Sequence, residues 1–130
     1  MMLKALENGQ TVVLDRYAYS GLVYSVAKGL NREWCKNSDR GLIEPDVVIF
    51  LDLEWSVLGR RKGFGEEKFE EKEMQIKVKE GFKELVDEKW RIVDGGREVE
   101  VVHKEVMEIV WETLRKVEKG EPLRKLWQED

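Results

Sequence analysis

Val47-Val-Ile-Phe-Leu-Asp-Leu53 constrains the fold more than any other stretch of the chain. It is apolar without alternation, which predicts a strand buried on both faces, as in a parallel sheet covered by helices. A second β-branched run, Val12-Val-Leu14, ends abruptly in Asp15-Arg16. Thr11 to Leu14 therefore reads as another inner strand with a charged pair at its carboxyl end, where open α/β sheets bind their ligands. A guanidinium fixed there is a fork-shaped anion clamp suited to phosphate.

The remaining elements alternate in the same way. Met2 to Glu7 reads as a helix tail stopped by Asn8-Gly9. Tyr17 to about Asn37 reads as one or two helices, with Gly29 as a break. Leu42 to Asp46 is a connector, and Pro45 marks entry to the next strand. Glu54 to Arg61 reads as a short helix, and Lys62-Gly-Phe-Gly65 as a mobile element. A long helix is predicted from about Glu66 to Lys89, with Met74, Val78, Phe82 and Leu85 as its buried stripe. Trp90-Arg-Ile-Val-Asp94 is a third strand and Gly95-Gly96 a turn. Val99, Val102, Val106, Ile109, Val110 and Leu114 make the inner face of a last helix. Strands alternating with helices give an α/β class with a parallel sheet.

Composition narrows the function classes. The 130 residues suffice for one domain with one core, and the net charge of -4 comes with both signs interspersed. That balance predicts a soluble surface rather than a nucleic-acid or membrane patch. No secretory signal or membrane-length apolar run is visible. The single Cys35 rules out an intrachain disulfide, and one His argues against a zinc site. A reducing, cytoplasmic setting fits best, with the nucleus as an alternative.

Arg16, Ser20 and Tyr24 are spaced by four, which places them along one helix face if the helix begins just after the strand. A cation, a small hydroxyl and an aromatic match the phosphate, base edge and sugar face of a nucleoside monophosphate. The plainer alternative pairs Arg16 with Asp15 or another acid and puts Tyr24 in the core. Asp15 itself either supports Mg²⁺ through water or caps the following helix. Arg60, Arg61, Lys62 and Lys68 surround the Gly-Phe-Gly hinge. They read either as cations that close over a polyphosphate or as a solvated face. His103 reads as structural, and Cys35 as a buried small residue.

Several blocks, in order, resemble one family. Asp15-Arg16-Tyr17-Ala-Tyr-Ser20-Gly21 looks like the Asp-Arg-Tyr segment of thymidylate kinases, the enzymes that pass a phosphate from ATP to dTMP. Glu33-Trp34-Cys35-Lys36, Gly41-Leu42-Ile-Glu-Pro45-Asp46 and Val48-Ile-Phe-Leu51 resemble the eukaryotic-type members. Gly63-Phe64-Gly65-Glu-Glu67-Lys68-Phe69-Glu70 looks like their lid, which would span about 60–72. Trp90-Arg-Ile-Val93-Asp94 and Pro122-Leu-Arg-Lys-Leu126-Trp127 also match.

The resemblance implies a P-loop-kinase-like parallel sheet with flanking helices, and Arg16, Asp15 and Arg61 as catalytic residues. Arg16 would hold the dTMP phosphate and Asp15 would support Mg²⁺ through water. Ser20 and Gly21 would touch the thymine edge, and Tyr24 would pack beside the nucleoside. Phe69 would crowd the sugar 2′ carbon and so reject ribonucleotides. Gln75 would lie near the base. Arg61 and Lys68 would be basic lid residues near ATP. The loop Asp94, Gly95, Gly96, Arg97 to Val99 would hold adenine, mostly by backbone groups.

One departure stands beside these matches. The family's phosphate loop, Gly-x-x-x-x-Gly-Lys-Ser/Thr, occurs nowhere in the 130 residues, and Gly59-Arg-Arg-Lys-Gly-Phe-Gly65 lacks the Lys-Ser/Thr. The expectation is a single, incomplete nucleoside-monophosphate-kinase-like domain without its first strand and helix. Such a chain would be inactive alone, because that loop and its Lys hold the ATP phosphates. Its strands would expose unpaired apolar edges, which predicts oligomerisation or poor solubility. The resemblance also implies a homodimer through the helix after Arg16. Two alternatives stand beside the dTMP kinase reading: a non-catalytic subunit that dimerises with a full-length kinase, and another deoxynucleotide or deoxynucleoside kinase. The lid block and the closing Leu-Trp favour dTMP.

Overall fold

A computed structural model describes residues 1–53 and 69–128, with the backbone alone for 69–71. The expected short helix Glu54 to Arg61, the hinge, Arg60, Arg61, Lys62 and Lys68 lie outside the described residues. The chain divides into two compact units.

The first unit comprises Met1–Glu44, Lys77–Leu85 and Arg124–Asp130. Its helices are α1 (Met2–Glu7), α2 (Ala18–Ala27) and α3 (Arg32–Asn37). The break predicted near Gly29 is real, and Gly29 has φ 97°. Asn31 starts α3 by accepting the Trp34 N–H at 2.9 Å, satisfying one of the helix's orphan donors. The second half of α4 (Phe69–Leu85) also belongs here. Ala18, Leu22, Val23, Cys35, Val78 and Leu126 form the buried core, so Cys35 is the small apolar filler the sequence predicts. α4 approaches α2 very closely: a Cβ on Gly81 would lie 2.9 Å from Val23 Cγ1. Only glycine leaves room there.

The second unit comprises Pro45–Ile76 and Val86–Leu123. Its parallel pair, β1 (Val48–Asp52) and β2 (Trp90–Asp94), runs in register from Val48 opposite Trp90 to Asp52 opposite Asp94. α5 (Val99–Glu118) packs on β2, and Trp90, Val93 and Ile109 form the buried core. Arg91 and Glu112 join strand and helix at 3.2 Å. The fold class is α/β with a parallel sheet and flanking helices, as predicted.

Four local expectations need correction. Thr11 to Leu14 is not a strand: Val13 is 88% exposed and no described residue pairs with the segment. An apolar run becomes a strand only when a neighbour takes its backbone groups. For the same reason β1, with β2 as its one described neighbour, is half-buried rather than buried on both faces, and Leu51 is exposed. α4 ends at Leu85, four residues early, because Asp87 starts a turn: its carboxylate accepts the Lys89 N–H and its carbonyl accepts the Trp90 N–H. Val99 is exposed rather than inward, since it opens the first turn of α5.

Candidate functional site

In the first unit, Asp15 and Arg16 form a bend that enters α2. Arg16 has φ 70°, in the left-handed region that a non-glycine residue enters at a cost of roughly 1–3 kcal/mol. This bend overturns one expectation. α2 begins at Ala18, so Arg16 precedes the helix and does not share a face with Ser20 and Tyr24. The plainer readings gain no support among the described residues. No side chain caps α2, so Asp15 is not its cap. Among the described residues neither Asp15 nor Arg16 has an ion-pair partner, and both side chains are exposed.

What holds the bend is Tyr17. Its backbone is extended, and its hydroxyl donates to the Ile43 carbonyl at 2.8 Å. Burial pushes the phenol pKa up, and the negative charge of Asp39 pushes it further, so the hydroxyl keeps its proton and its bond. The Tyr17 carbonyl accepts the Ser20 hydroxyl at 3.2 Å. Gly21 is exposed, and a Cβ there would meet nothing within 4 Å, so the surface beside Ser20 is open. Tyr24 is half-buried one turn beyond Ser20. The bend thus offers a guanidinium with no ion-pair partner among the described residues, a carboxylate, an open glycine surface and an aromatic within ten residues of chain.

In the second unit, the turn after β2 is closed by its own groups. Asp94 Oδ1 accepts the Gly96 N–H at 2.9 Å, and the Asp94 carbonyl accepts Arg97 Nε–H at 3.1 Å. Arg97 also donates to Glu105, and that hydrogen bond raises its pKa. Gly95 donates to the Asp52 carbonyl at 2.8 Å, and a Cβ on it would stand 3.4 Å from that same oxygen. The turn therefore presents backbone, with its one cation already engaged. Val99 is 77% exposed beyond it. Gln75 is half-buried on α4, Phe69 opens that helix, and Arg61 and Lys68 lie outside the described residues. Among the described residues no group of three acidic, His or Cys side chains could hold a metal ion.

Sequence reasoning missed Ile43, Glu105 and Trp127, which act from a distance along the chain. Nothing local marks Arg16 for a left-handed φ either. The interest of Trp127 lay only in its matching block.

Comparisons with known proteins identify the family. The family model described as Thymidylate kinase matches residues 1–106. The chain is 38% identical to the thymidylate kinase of Arabidopsis thaliana over 127 residues, covering 98% of this chain and 48% of that protein. It is 36% identical to the Danio rerio thymidylate kinase over 98% of this chain and 62% of that one. The solved structure of the Candida albicans thymidylate kinase superposes with a TM-score of 0.65 at 31% identity, covering 91% of this chain and 62% of that one. The chain thus spans between about half and under two thirds of the length of these relatives. A family match over most of the chain, with identities above 30% along nearly all of it, makes this protein a member of the thymidylate kinase family.

Proposed function

We propose that this chain serves transfer of the terminal phosphoryl group of ATP to dTMP, giving dTDP, and that it supplies the dTMP-holding side of that reaction. The observation that carries the reading is Arg16: strained, exposed and without an ion-pair partner among the described residues. Strained backbone of this kind clusters at active sites and ligand clamps.

In this reading the Arg16 guanidinium grips the dTMP phosphate by two parallel hydrogen bonds and stabilises charge on the transferred group. Asp15 would hold Mg²⁺ through water. A single exposed carboxylate fits that role, since Mg²⁺ keeps most of its waters and takes one or two carboxylates beside substrate phosphates. Bound Mg²⁺ supplies charge neutralisation on the phosphates. Ser20 and Gly21 meet the thymine edge, Tyr24 packs beside the nucleoside and Gln75 lies near the base. Phe69 excludes a 2′ hydroxyl. Arg61 and Lys68, on a lid of about 60–72, meet ATP. Asp94, Gly95, Gly96, Arg97 and Val99 hold adenine. Engagement of Arg97 by Glu105 supports a loop that reads the base with its backbone. The protein works in the cytoplasm as a homodimer through α2, as its likeness to the family implies.

Calorimetry of the 130-residue chain tests the reading. One dTMP should bind per chain, and the ribonucleotide analogue should bind at least about tenfold more weakly, as expected for a clash at the 2′ position. Absence of heat with dTMP at about millimolar concentration would sink it.

A further inference from the structure

We infer that the distal segment Arg124–Trp127 is a positioning element for Arg16, acting through Ile43, Tyr17 and Tyr19. The inference rests on the reading of Arg16 as a phosphate clamp.

Two routes lead from that segment to the bend, both within the first unit. The backbone route is a short antiparallel pairing. Glu44 donates to the Arg124 carbonyl at 2.8 Å, Leu126 to the Leu42 carbonyl at 2.6 Å, and Gly41 to the Leu126 carbonyl at 3.0 Å. Ile43 faces Lys125 in this bridge, and its carbonyl is the one that takes the Tyr17 hydroxyl. Leu126 anchors the pairing at 2% exposure. The second route is through rings. Trp127 meets Tyr19 edge-on with centroids 6.1 Å apart, and Tyr19 meets Tyr17 edge-on at 6.4 Å.

Trp127 is itself held firmly. Its carbonyl accepts from Arg40, the Lys36 ammonium lies 5.8 Å from its ring, and its φ is 52°. Such strain persists only where the surroundings over-determine it. Tyr17 is bonded directly to Arg16, so fixing its hydroxyl and ring fixes the peptide that carries the φ of 70°. A chain free to relax at Tyr17 would return Arg16 to ordinary backbone space and swing its guanidinium away from the clamp position.

The test reads the intraresidue amide–Hα NOE of Arg16, which a positive φ makes strong, and dTMP affinity in Trp127→Ala, Trp127→Phe and Tyr17→Phe. Trp127→Ala should weaken that NOE to the level of ordinary backbone while the amide resonances of α2 and α3 keep their helical pattern. It should weaken dTMP binding by about fivefold, in the range of coupled neighbours. Trp127→Phe keeps an aromatic edge and should leave the NOE strong and dTMP affinity within about twofold. Tyr17→Phe, which deletes only the hydroxyl, should weaken the same NOE. An unchanged Arg16 NOE in Trp127→Ala, or loss of the helical pattern across α2 and α3 with it, would overturn the inference. If the unaltered chain fails to bind dTMP, the clamp reading falls, while the NOE measurements still decide whether the distal segment fixes the bend.

Discussion

Two turns in this molecule share a composition and differ in chemistry. Each follows an apolar run, and each carries an aspartate and an arginine: Asp15 with Arg16, and Asp94 with Arg97. In the second, every charged group is spent locally. Arg97 reaches both Asp94 and Glu105, and Asp94 closes the turn onto Gly96. In the first, the carboxylate and the guanidinium ignore each other and every other described charge. The backbone there is set from afar, by Tyr17 on Ile43. Local pairing builds a turn that is finished in itself. Remote anchoring builds one whose charges are left for something else to satisfy.

Arginine deletions break or sharpen that contrast most directly. Arg16→Ala should cost about 100-fold in dTMP affinity, the worth of a charge-assisted phosphate clamp, with little change in Tm. Arg97→Ala should leave dTMP affinity within about twofold, as for a guanidinium already engaged by Glu105. Calorimetry on the pair checks both, and the reverse ranking would undo the contrast.

A smaller effect tests the packing near the first turn. Gly81→Ala places a methyl 2.9 Å from a methyl of Val23, a stiff, buried, β-branched neighbour. The overpacking should outweigh the helix propensity gained and lower stability by about 1 kcal/mol net, read by chemical denaturation. Comparable or higher stability would show that the two helices have slack.

The smallest effect belongs to the locally paired unit. The hydrogen bond and charge of Arg91 hold the Glu112 carboxyl below its ordinary value of 4.5. A lowered folded pKa gives stability that is present above about pH 4.5 and lost as pH falls through the folded value. The Tm gap between the unaltered chain and Glu112→Gln should therefore close on acidification. A gap that does not narrow at all as the pH falls below 4.5 would remove the pair from the account.

The legible parts of the fold were those that carry their partners with them. Val48–Asp52 and Trp90–Asp94 read correctly because each apolar run has the other to pair with. The α5 stripe read correctly from Val102 onward because one helix face meets one strand. Thr11 to Leu14 carries the same signal without a described neighbour, and pattern alone could not reveal that. At the candidate site the residue types were legible and their geometry was not. Spacing by four assumed that the helix starts at Arg16, and a single left-handed φ moved the start to Ala18. Glu105 and Trp127 left no local trace, since each acts on a residue in a different element.

Ribosomes emit a protein from its amino end, so Gly41 to Glu44 leave the exit tunnel well before Arg124 to Leu126 can zip onto them. Until then the Ile43 carbonyl sits on an unbraced loop, and Tyr17 has no firm post to lean on. A nascent chain of this sequence should therefore acquire its nucleotide grip only after residues 124–127 have emerged, whatever the speed at which its helices form.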